Sequence, residues 1–161
     1  MISEELVEAS WDEVNAFTAP QAQKYMSQLG RRQRELLTFV VTMTEDLSHA
    51  AHETAIYAFA VIYRMFERAS GPLPRARRQQ IVAAYEKVSD ELERLLGADH
   101  RFLERHALAS MSHEPFVMRY VSEILLEPDS PEGKVPDDDA GAVFMCLKAV
   151  VDVLHDIAAA R

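Results

Sequence analysis

The sequence predicts an all-α fold, a single-domain bundle of about six or seven helices that spans residues 1–161. Apolar residues recur at helical spacing almost throughout, and no stretch alternates in the way typical of a strand. Five glycines among 161 residues are few for a fold with many tight hairpin turns. A chain of this length, 48% apolar, can bury one core without disulfide or metal cross-links.

The first part of the chain predicts three helices with recognisable ends. Ser3 is suited to cap the first helix, since its hydroxyl can accept a bond from a free backbone N–H. Thr18 followed by Pro20 begins a second helix that runs to about Gly30. A third helix is predicted over 31–47. Its apolar stripe comprises Leu36, Val40, Met43 and Leu47.

The helix predicted over 50–69 differs from the others because Thr54–Phe66 is apolar on nearly every side. Such a helix is either central in a bundle or buried in a subunit interface. The stripe of the third helix and the apolar centre of this one are out of phase on a continuous helix. We therefore predict a break near 46–48, and Gly71 ends the central helix.

The rest of the chain predicts four further helices and one long loop. The helices cover 75–96, a short stretch at 100–110, then 113–126 and 138–160. Three prolines and an acidic excess in 127–136 predict an exposed, semi-rigid loop, which either spans the distance between helices or recognises a partner.

Charge and cysteine content limit the class of protein. The formal charge is 17 − 26 = −9, which disfavours nucleic acid and anionic membranes as partners. Thr54–Phe66 is too short to cross a bilayer, which needs about 20 residues. A single cysteine, Cys146, excludes an internal disulfide, and the first twenty residues lack a signal sequence. These features predict a soluble cytoplasmic protein.

A metal site is one hypothesis for His49, His52 and Glu53. Ligands three or four residues apart share a helix face, and a zinc or iron site can draw two or three ligands from such a segment. The full ligand pattern of a di-iron bundle is absent.

The helical wheel favours a structural interpretation of the same segment. His49 and Glu53 fall on the arc that carries Arg64, Glu67 and Arg68, which we expect to face water. On this interpretation the pair is a surface feature rather than a set of ligands.

Three histidines, His52, His106 and His113, lie toward the apolar sides of their predicted helices. If these helices are neighbours, the imidazoles could line one small-molecule cavity. Core histidines bonded to the backbone explain the pattern equally well.

Two arginine clusters stand near predicted helix N-termini, where the helix dipole disfavours cations. If they converge in space, they form an anion or phosphate pocket; otherwise they belong to a solvated surface. The clusters comprise Arg31, Arg32, Arg34, Arg75, Arg77 and Arg78.

No catalytic motif is assembled in the sequence, and no cofactor can be named from it. We therefore expect a non-enzymatic protein-interaction or regulatory module that acts through helical surfaces, as a homo-oligomer or with a protein partner. The alternative is a metal- or small-ligand-binding bundle that uses inward-facing histidines.

Overall fold

A computed structural model describes residues 1–95, 112–126 and 135–160, and these ranges contain seven helices and no strand. The predicted all-α bundle is confirmed. The predicted helix at 100–110 and most of the loop at 127–136 lie outside the described residues. The helices are α1 (Glu4–Asn15), α2 (Ala19–Arg32), α3 (Arg34–Thr44), α4 (His49–Ser70), α5 (Arg78–Leu95), α6 (Pro115–Leu126) and α7 (Asp137–Ala159).

Local signals fix several helix ends. The Ser3 hydroxyl accepts the N–H of the third residue of α1, and Thr18 and Gln21 form a reciprocal capping box at the start of α2. The Ser48 hydroxyl accepts the Ala51 N–H at the start of α4. After α4 the chain turns at Gly71, whose φ of 76° is a conformation that suits glycine.

The predicted break between the third and fourth helices is confirmed. The α3 helix ends at Thr44 and α4 begins at His49, so Glu45 and His49 belong to different helices. The break lets each apolar stripe face the core, which one continuous helix could not do.

Two helices, rather than one, lie at the centre of the bundle. Residues 58–63 of α4 are all buried, which confirms the central position predicted for that helix. Residues 146–151 of α7 are also all buried, so α7 is equally central. Both helices begin at the same end, because the Ser48 N–H donates to the Asp139 carboxylate over 3.0 Å.

Part of the surface arc predicted for α4 lies against α1 and α2. Glu13 of α1 accepts a short bond from the Arg64 Nε (2.6 Å), and this bond raises the pKa of Arg64. Glu67 has a side chain only 9% exposed, because it pairs with Arg32 at 2.9 Å and accepts the Tyr25 hydroxyl at 3.1 Å. The expectation that this arc faces water was therefore wrong for Glu67, since neighbouring helices supply partners for the charges.

None of the helices in the described ranges combines the length and the apolarity that crossing a membrane requires.

Cys146 is the chain's one cysteine and is buried, so its reactivity tests directly whether α7 lies in the core. Burial raises the pKa of its thiol to about 12, and only the thiolate reacts with a disulfide reagent. At pH 8 we expect no labelling of the native protein and one label per chain in denaturant. The pKa of this thiol is higher in the folded protein than in the unfolded chain. The stabilisation that comes from a neutral buried thiol is therefore complete below about pH 8.5, and it is lost as the pH rises toward 12. Fast labelling of the native protein would contradict the burial of α7.

Candidate functional site

The candidate metal ligands do not assemble around one point. His49 is exposed, whereas Glu53 lines a cavity of about 210 Å³ between α4 and the first two helices, and no histidine lines that cavity. In the described part of the chain no group of three or more His, Cys, Asp or Glu side chains is placed to hold a metal ion.

His52 connects two helix ends. Its Nδ1 lies 2.9 Å from the Thr44 hydroxyl, and that hydroxyl donates to the Val40 carbonyl over 2.7 Å. A hydroxyl has one proton, which the Val40 bond uses, so Nδ1 of His52 is the donor in the other bond. The half-buried imidazole thus ties the end of α3 to the first turn of α4.

His113 does not face the apolar side of its helix. It lies before Pro115, the first residue of α6, so helical spacing does not set its direction. Its exposed ring stacks on His155, with centroids 5.1 Å apart and planes 11° from parallel. His106 lies outside the described residues.

Of the three histidines predicted to share a cavity, the two that the structure describes, His52 and His113, lie at opposite ends of the bundle. Ser48, one turn before His52, contacts Asp139 at the start of α7, whereas His113 stacks on His155 near its end. Sixteen residues of helix separate those two positions of α7, about 24 Å. A single cavity shared by these two imidazoles is therefore excluded.

The two arginine clusters, by contrast, lie together. Buried Gln33 donates its side-chain N–H to the Pro74 carbonyl (2.8 Å), and its amide oxygen accepts the Ala76 N–H (2.9 Å). The Arg75 guanidinium donates to the Arg31 carbonyl over 3.0 Å. These bonds hold the start of α3 beside the segment that leads into α5.

Only one of the six arginines is engaged with a carboxylate in the ranges that the structure describes. Arg32 pairs with Glu67. The other five are exposed and make no ion pair there. This group, hereafter the arginine cluster, comprises Arg31, Arg34, Arg75, Arg77 and Arg78.

An open apolar groove begins at the arginine cluster and follows α3 and α5. Its volume is about 580 Å³, and its floor contains Phe39, Ile81 and Tyr85, with the rings of Phe39 and Tyr85 packed edge to face. Met43 is 37% exposed and Val82 47% exposed, and both line it. Hereafter this is the α3–α5 groove. Its remaining lining residues are Glu35, Thr38, Thr42, Arg78 and Glu86.

The surfaces at the two ends of the groove carry opposite net charge. The Gln33 bonds place the start of α3 beside the start of α5, and Phe39 meets Tyr85 further along both helices, so α3 and α5 run in the same direction. Glu35 and Arg78 are therefore at one end of the groove, and Met43 and Glu86 are at the other. The first end adjoins the arginine cluster. The second end, hereafter the acidic end, carries exposed carboxylates at Glu45, Asp46, Glu86 and Asp90.

Two buried charged residues were missed by the sequence analysis. Lys148 is 5% exposed, and its ammonium contacts both Asp152 oxygens at 2.7 and 2.8 Å. The i,i+4 spacing of this pair was the available signal. Glu114 is 2% exposed and accepts the Ile2 N–H with both oxygens, and no sequence pattern indicates a contact between residues so far apart.

The described part of the chain therefore defines a helical bundle with an open, two-helix groove that is basic at one end and acidic at the other. Comparisons with protein-family models, with curated proteins and with solved structures found no significant match. The groove and the arginine cluster are thus interpreted from their own geometry.

Proposed function

We propose that this protein is a non-enzymatic interaction module that forms a homodimer, with the α3–α5 groove of one copy packed against the same groove of a second copy. Its cytoplasmic location, predicted from the sequence, is part of the same proposal. The observation that carries it is the α3–α5 groove itself: an apolar floor, two exposed apolar side chains, and ends of opposite charge.

The apolar residues of the groove supply the attraction. The described residues contain four large apolar side chains that are exposed, and two of these, Met43 and Val82, line the groove. Concentrated exposed apolar surface is typical of an interaction site. Interface cores are depleted in charge and enriched in aromatic residues and methionine, as Phe39, Tyr85 and Met43 are here.

The charges at the two ends of the groove determine the orientation of the two copies, and they favour a second copy of this chain as the binding partner. In a symmetric dimer the same surface contributes from both copies. If the two-fold axis crosses the middle of the groove at right angles to α3 and α5, the arginine cluster of each copy meets the acidic end of the other. This pairing offsets the repulsion between two chains of charge −9.

The dimensions also suit helix-on-helix packing. From Glu35 to Met43 the groove follows α3 for about 12 Å, slightly more than two turns. Two such helix pairs placed face to face form a four-helix arrangement, with Val82 near its centre.

Sedimentation equilibrium of three proteins tests the proposal. We expect wild type to show twice the monomer mass and Val82→Glu to be monomeric, because the variant places a charge in the apolar contact. Leu126→Glu makes the same kind of change at a residue that is 58% exposed outside the groove, and it should remain dimeric. A monomeric wild type, or equal loss of the dimer in both variants, would contradict the proposal.

Charge reversal tests the antiparallel orientation. Arg78→Glu and Glu86→Arg each place like charges opposite one another, and each should weaken dimerisation by roughly tenfold or more. The double variant exchanges the two ends and should recover most of the lost affinity. Losses that simply add in the double variant would exclude this orientation.

A further inference from the structure

We infer that the arginine cluster is a binding site for a compact anion that carries two or more phosphate groups. The site is separate from the apolar floor of the groove, since only Arg78 of the five arginines lines the groove. The inference does not require the proposed dimer, in which the carboxylates of a second copy would compete with an anion for these arginines.

The first support is that the site is held together by buried bonds. Gln33 is 1% exposed and fixes the backbone at both Pro74 and Ala76. Arg75 adds a bond to the backbone at Arg31. Residues more than forty positions apart in the sequence are thus fixed as neighbours, which brings together the backbone segments that carry the two groups of exposed arginines.

The second support is the electrostatic cost of the arrangement without a ligand. Clustered guanidinium groups repel one another, and Arg34 and Arg78 are the first residues of α3 and α5, where the helix dipoles also disfavour cations. Arg31, which was predicted to lie at a helix N-terminus, instead lies in the last turn of α2, where the dipole favours it. The α3 helix has no side-chain cap, so its first N–H groups are available to an anion. A bound anion relieves all three effects.

Phosphate is the anion that this chemistry fits. The guanidinium fork donates two parallel bonds to phosphate oxygens, and the cluster offers five guanidinium groups, of which that of Arg75 already donates one bond to the Arg31 carbonyl. One phosphate cannot engage all of them, which favours a ligand with two or three linked phosphates. A long nucleic acid would extend beyond the cluster onto a chain of charge −9.

Calorimetric titration with inorganic tripolyphosphate tests the inference. Wild type should bind one tripolyphosphate per chain, and more tightly than orthophosphate. The triple variant Arg75→Gln, Arg77→Gln, Arg78→Gln should lose about 100-fold or more in affinity, since each charged hydrogen bond lost typically costs about a factor of ten.

A matched triple variant separates a site from bulk charge. Lys24→Gln, Lys87→Gln and Arg119→Gln remove the same charge from exposed positions outside the cluster, and affinity should change by less than about threefold. Cys146 protection confirms that each variant is folded. Absence of binding by wild type, or equal losses in the two triple variants, would overturn the inference.

Two further titrations identify the ligand class and separate this site from the dimer. Val82→Glu should still bind tripolyphosphate, because four of the five arginines lie outside the groove and a monomer keeps the cluster free of the carboxylates of a second copy. Loss of binding in that variant would place the anion in the groove instead and overturn the inference. An oligothymidylate that binds more tightly than tripolyphosphate would also overturn it, because an extended nucleic acid would then be the better ligand.

Discussion

Phe59→Ala is expected to lower the free energy of unfolding by about 3–5 kcal/mol, the usual cost of removing a phenyl ring from a packed core. Phe59 is 0% exposed and lies at the centre of α4, in the stretch that is buried on all sides. Because α4 has neighbours on every side at this point, the surrounding side chains cannot easily move to fill the cavity that the substitution leaves. Guanidinium denaturation followed by circular dichroism measures the effect.

Leu126→Ala is the control for that measurement. Leu126 is 58% exposed at the end of α6, and its truncation should change the free energy of unfolding by less than about 0.5 kcal/mol. A loss below about 1 kcal/mol for Phe59→Ala would show that α4 is not packed on all sides, and the account of the core would be wrong.

Asp152→Ala is expected to cost about 2–4 kcal/mol, because it leaves the Lys148 ammonium buried without its carboxylate. Lys148 is 5% exposed in the all-buried stretch of α7. The expected loss lies somewhat below the usual range of about 3–5 kcal/mol because the Asp152 side chain is 24% exposed, so water can replace some of the lost contact.

Lys148→Met provides the matched variant. It removes the buried charge while keeping an unbranched chain, so we expect the free energy of unfolding to change by less than about 1 kcal/mol in either direction. The expected result is a larger loss of stability for Asp152→Ala than for Lys148→Met. A larger loss for Lys148→Met than for Asp152→Ala would mean that the lysine stem, rather than its charge, is what the site requires.

Helix positions could be predicted from the sequence because short-range signals set them. Ser3 and Thr18 begin helices through bonds to residues three positions away, and Gly71 follows the end of α4 through its own backbone geometry. The break before His49 followed from the phase of the apolar residues on either side. Such information is contained within one or two helical turns.

The central position of α7 could not be predicted in this way. Its sequence begins with three aspartates and contains Lys148, so its own residues do not indicate a helix with neighbours on every side. The second covered face depends on which helices pack beside it, and Lys148 is accommodated there only because Asp152 neutralises it. Packing partners are a property of the whole chain rather than of one segment.

The candidate functional sites show the same difference between local sequence signals and contacts that depend on the whole fold. The sequence identified the arginines, but their convergence depends on Gln33, whose bonds to Pro74 and Ala76 bridge more than forty residues. His113 was assigned a helical direction although it lies just before α6 begins. The α3–α5 groove was missed because it exists only where two separate helices run side by side.

Thiol cross-linking at position 82 tests the proposed dimer most directly. Val82 lies in the middle of the groove, so the two copies of a Val82→Cys variant should meet near the two-fold axis, while native Cys146 stays buried and unreactive. A short bis-maleimide should convert most of Val82→Cys to a covalent dimer and leave Leu126→Cys largely monomeric. Equal cross-linking at the two positions, or none at position 82, would contradict the dimer.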